Sequence, residues 1–156
     1  MSVSKEEFES LIPELPDWNN GDGIDVNTWI SCAGNYEHAI GYSRIFWPEF
    51  VEHDDCIFQS GFSIDSYDEF MEQSGGHKKS VESVMNHWHI SELFCDGDTI
   101  PSHKQAIYMG RILKDLWSTK LMRDFPSRNI VVNFSEGPHE DLIDYVITYY
   151  QQSQTG

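Results

Sequence analysis

His87 and His89, in the run Asn86-His87-Trp88-His89 with Glu92 close behind, are the first candidates for metal or acid–base chemistry. Ligands that share a metal on a helix must lie three or four residues apart. The apolar spacing predicts a helix over residues 80–94, which turns these two rings roughly 200° away from each other. Only an extended segment would bring them onto one ion. His89 falls in line with Met85 and Leu93 and reads as a hydrogen-bonded residue at the edge of the core. A small hydrolase using His87, His89 and Glu92 is the alternative reading. No HExxH and no Cys/His pair at zinc spacing occurs, so no metal and no cofactor are expected. His53 beside Asp54 and Asp55, and His139 beside Glu140 and Asp141, read as solvated loop charge. The segment 17–25 fails the Gly and Glu positions of a calcium loop and reads as a turn. Gly41-Tyr42-Ser43 does not extend to a nucleophile elbow, and Cys95 has no basic neighbour in sequence to activate it. No catalytic residue is expected, and the chain is not expected to be an enzyme.

The unusual feature is charge. The 156 residues carry 26 Asp or Glu against 10 Lys or Arg, a net charge of −16. Residues 1–72 hold 16 of the acids and 2 of the bases, so nearly all the negative field comes from that stretch. Binding to a phosphate backbone draws on Lys and Arg displacing counterions, so a nucleic-acid partner is not expected. Docking on an anionic membrane is disfavoured for the same reason. A basic protein partner fits. Two clusters interleave carboxylates with aromatics: Trp47, Glu49, Phe50, Glu52, Asp54 and Asp55, then Asp65, Tyr67, Asp68, Glu69 and Glu72. Aromatic anchors inside a polar rim are what a protein interface uses. Trp47, Phe50 and Tyr67 are expected as the buried anchors of such a contact. Solubility alone would need far less charge.

These residues need a scaffold, and the chain is long enough to supply one. A chain of this length buries roughly 70% of the surface it exposes when unfolded. Ser4 caps a short helix over 5–12 that Pro13 and Pro16 stop, and Asp25 caps a second near 26–33. The spacing of Ala39, Ile40, Phe46 and Trp47 predicts a helix over 36–47, ended by Pro48. Cys56-Ile57-Phe58 reads as a short buried strand. Ser63 or Asp65 caps a helix over 66–73. Ser102 caps a long helix to about residue 123, with Ala106, Gly110, Leu113, Trp117 and Leu121 on one stripe. Residues 129–134 and 145–150 alternate or are β-branched and aromatic, so they read as a hairpin closed by 135–140. The expected fold class is α+β: one domain over 1–156, with four to six helices packed on a small, mostly antiparallel sheet that ends in this hairpin.

The polar start of the chain lacks a signal-peptide pattern, and no apolar run is long enough to span a membrane. Cys32, Cys56 and Cys95 form no CxxC and read as buried free thiols in a reducing cytoplasm. Phe46-Trp47-Pro48-Glu49-Phe50, Cys56-Ile57-Phe58, Asn86-His87-Trp88-His89-Ile90, Trp117 and Arg123-Asp124-Phe125-Pro126 resemble segments of small acidic bacterial immunity proteins from polymorphic toxin systems. That resemblance implies a cytoplasmic protein that binds and neutralises a cognate toxin, and it assigns no residue a role. With the acidic surface, the leading expectation is a stoichiometric inhibitor of a basic toxin. A housekeeping adaptor is the other alternative.

Overall fold

The computed structural model describes residues 2–94 and 99–152. The turn expected at 96–98 and the thiol of Cys95 lie outside the described residues. The fold is α+β, with six α-helices and five strands in two antiparallel sheets among the described residues. The chain groups into two compact units, Met1–Ser43 and Arg44–Gly156.

The first unit is helical. Helix α1 (Lys5–Ser10) starts at a capping box in which Ser4 and Glu7 each satisfy the other's backbone N–H,. Two 3-10 turns follow, over Leu15–Asp17 and Asn19–Gly21, where the loop was expected. Helix α2 (Val26–Ala33) is capped by the Asp25 carboxylate, as its sequence predicts. Helix α3 (Tyr36–Phe46) begins in this unit. Neither α2 nor α3 contains a buried residue, and Tyr36 and Ile40 are 90% and 70% exposed.

The second unit holds both sheets. Strands β1 (Phe50–His53) and β2 (Cys56–Gln59) form a two-residue hairpin. Helix α4 (Ile64–Gln73) is capped by Ser63, and α5 (Lys78–Met85) follows. The predicted helix over 80–94 is corrected here. It stops at Met85, and His87–His89 is strand β3, paired antiparallel with β5 (Val146–Gln151). The long helix α6 (His103–Asp124) and strand β4 (Ile130–Phe134) occur where the sequence puts them. Strand β5 is central, in the order β3-β5-β4, with Val132 opposite Tyr149.

Helix α6 lays Ala106, Leu113, Trp117 and Leu121 against this sheet. Trp117 meets Trp88 and Tyr149 edge-to-face, and its indole N–H donates to the Ile45 carbonyl at 2.8 Å,. Gly110 is required where Phe134 crosses the helix, because a Cβ there would sit 2.1 Å from the Phe134 ring.

The free edge of β2 is closed by side chains. Glu82 Oε2 accepts the Ile57 N–H at 2.8 Å, and Asn86 Nδ2 donates to the Ile57 carbonyl at 2.8 Å. Glu82 and Asn86 stand four residues apart, so one face of α5 serves both backbone groups. Glu82 also accepts from the backbone N–H and side-chain amide of Gln151 at 2.5 and 2.7 Å. This buried carboxylate therefore joins α5, β2 and β5.

Candidate functional site

The first acidic cluster sits on the β1–β2 hairpin. Asp54 and Asp55 both have positive φ (51° and 65°), the conformation a two-residue hairpin turn needs and one that Asp tolerates,. Asp54 accepts from Lys78 Nζ and the Tyr67 hydroxyl, each at 2.7 Å. Those two bonds, Lys78 first, hold its carboxyl below the usual range. Glu52 accepts from Arg128 at 2.6 Å, Asp55 lies 3.7 Å from Arg128 and 3.9 Å from Lys78, and Glu49 lies 3.7 Å from Arg44. Each carboxylate here already has a cation of the same chain, so the cluster ties the hairpin to α5 and to the segment before β4.

Two of the three expected anchors are not on the surface. Phe50 is 7% exposed and packs edge-on against Tyr149, while Tyr67 is 3% exposed among His53 and Phe58. Phe50 and Glu52, two residues apart, share a face of β1, and burial falls along it from the buried Phe50 to the exposed Glu52,. Tyr67 shares the inner stripe of α4 with Phe70 and Met71, a spacing that is visible in the sequence,. Trp47 stays exposed, with the Lys120 ammonium 5.7 Å from its ring centre,.

The second cluster is arranged differently. Asp65, Asp68, Glu69 and Glu72 occupy i, i+3, i+4 and i+7 of α4, one continuous stripe opposite Tyr67. All four are exposed, and among the described residues none is within ion-pair distance of a cation. Glu69 has only a 3.3 Å contact with the Gln73 amide. Like charges at this spacing destabilise a helix, by about 0.2–0.5 kcal/mol a pair.

Because β3 is extended, His87 and His89 project from the same face, with ring centres 5.0 Å apart,. The two rings are therefore not turned apart, as a helix would turn them. His89 Nδ1 lies 2.7 Å from the Ile143 carbonyl and His87 Nδ1 lies 3.2 Å from Thr148 Oγ1. Burial, then the nearby His89, disfavours the charged form of His87,. Among the described residues no three His, Cys, Asp or Glu side chains are grouped to hold a metal.

Ser135 Oγ and His139 Nε2, 2.8 Å apart, form a contact that the sequence reading missed. The same Nε2 lies 3.2 Å from the Ser135 carbonyl, which can only accept. With its proton on Nε2 the ring would serve both oxygens and close the loop. Of the expected buried thiols, Cys56 is buried and Cys32 is exposed. Burial and the nearby Glu82 and Asp54 charges push the Cys56 thiol up to about 11. Among the described residues no helix is long and apolar enough to cross a membrane. The chain shows no match to a protein-family model, a curated protein or a solved structure.

Proposed function

We propose that this protein is a stoichiometric inhibitor that binds a basic protein, in the manner of the immunity proteins its sequence resembles, through the outer face of α4. The observation that carries the reading is the stripe Asp65, Asp68, Glu69 and Glu72, exposed and without a cation of its own chain within ion-pair distance among the described residues. The hairpin carboxylates have their charge offset internally; these four do not. A cationic cleft would relieve the repulsion along the helix and bring its own counter-charge. The net charge of −16 would steer such a partner toward the surface and speed its association,. The toxin identity of the partner and the cytoplasmic setting belong to this proposal.

Immobilised protein exposed to native cell extract, washed at low or high salt and read by mass spectrometry, identifies the partner. The partner's own activity is then titrated with this protein. Inhibition complete at one equivalent, with an association rate that falls as salt rises, is the expected result. Reversing all four α4 carboxylates to lysine should slow association at low salt. An unchanged rate and salt dependence in that variant rejects the α4 face. A bound partner that keeps full activity rejects inhibition and leaves an adaptor.

A further inference from the structure

His87 and His89 stand two residues apart on β3, an edge strand in the order β3-β5-β4. The extended backbone sends both rings to one face of the sheet. That face is turned away from the core, because Trp88 between them is the residue that packs against Trp117. His87 is exposed and His89 half-buried. Two imidazoles on one face can share an ion, which a helix would have denied them at this spacing.

Both rings are held through Nδ1. His89 Nδ1 lies 2.7 Å from the Ile143 carbonyl, which can only accept, so the ring proton sits there and the lone pair on Nε2,. His87 Nδ1 lies 3.2 Å from Oγ1 of Thr148, its partner across the strand pair. An N–H donated to that hydroxyl leaves the lone pair of His87 on Nε2 as well. Metal-ligating histidines are oriented in this way, by a bond from the nitrogen that does not ligate.

A metal about 2.0–2.1 Å from each Nε2 sets the two ring centres about 5.2 Å apart at a tetrahedral angle and about 4.5 Å apart at a right angle. The ring centres are 5.0 Å apart, nearer the tetrahedral value. Among the described residues no third His, Cys, Asp or Glu joins the pair. The donor set is therefore two nitrogens, with water in the remaining positions. Imidazole suits zinc and its transition-metal neighbours, whereas calcium and magnesium require oxygen ligands. The net charge of −16 draws a cation toward the chain,.

We propose that His87 and His89 bind a zinc ion through their two Nε2 atoms, with water completing its tetrahedron. The site stands independently of the α4 surface and of any protein partner.

The test titrates the full chain with zinc chloride and follows the imidazole nitrogens by NMR. The Nε2 signals of His87 and His89 should shift together and saturate at one equivalent, while His89 keeps its Nδ1 proton. Magnesium and calcium should leave both rings unchanged. Thr148→Val, which removes the hydroxyl that orients His87, should weaken binding about tenfold, and His87→Gln should weaken it further. His38→Gln, at an exposed position on α3, should leave the affinity as it is. If Thr148→Val fails to fold, His87→Gln decides. No saturable shift, a shift of one ring alone, an equal response to magnesium, or zinc affinity unchanged in His87→Gln overturns the proposal.

Discussion

At the scale of single residues, Asp54 shows how an acidic side chain can belong to the architecture. Its two oxygens are taken by Lys78 and Tyr67, and its backbone makes half of a left-handed turn. The carboxyl ionises more readily folded than at its ordinary value of 3.8. Its stabilising effect is therefore fully present above pH 3.8 and is lost as the pH falls through the lower folded value,. Denaturation followed from neutral pH into acid should show that slope, and Lys78→Met should flatten it. An unaltered slope in the variant would mean that other carboxylates set the acid limit. His87 acts with the same sign at higher pH, since its folded value lies below 6.5 and stability is lost as pH falls through it. Sequence adjacency grouped Asp54 with the partner-binding acids. Only the positions of Lys78 and Tyr67, 24 and 13 residues away, show that its charge is already offset within the chain.

At the scale of elements, α5 departs most from its sequence. The apolar spacing predicts a helix from residue 80 through 94, but the helix stops at Met85, and within it Val84 is 55% exposed while Glu82 and, just after it, Asn86 are 2% exposed. A strand edge with unmet N–H and C=O groups outweighs apolar periodicity, because leaving buried backbone groups unpaired costs more than exposing one valine. Glu82 accepts three N–H donors from two strands. Glu82→Ala should cost about 3 kcal/mol or more, since it strips the partner from several buried donors at once. Urea denaturation measures it, and a loss below about 1 kcal/mol would show that water replaces the carboxylate easily. By contrast α6 was legible almost to the residue. Its stripe is long, its Ser102–Gln105 capping box is local, and Phe125-Pro126 ends it. Strand β3 was not legible, because three residues hold no period and take their conformation from β5.

At the scale of the whole molecule, 26 acids facing 10 bases leave 16 carboxylates that no internal pairing can neutralise. Added salt should therefore raise the melting temperature, as screening of self-repulsion outweighs the weakening of a few exposed ion pairs. A melting temperature that falls steadily with salt would mean that the hairpin ion pairs dominate instead. Composition alone determined the sign and size of this field, and local pattern determined the α+β class, most helix starts and the β4–β5 pairing. These depend on propensity, capping and period, which act over a few residues. Tertiary structure decided which acids are already paired, which aromatics are core, and that His87 and His89 share a face. Those outcomes depend on which distant groups meet, and the energy of a buried charge or hydrogen bond is set by the partner it meets rather than by its neighbours in the chain.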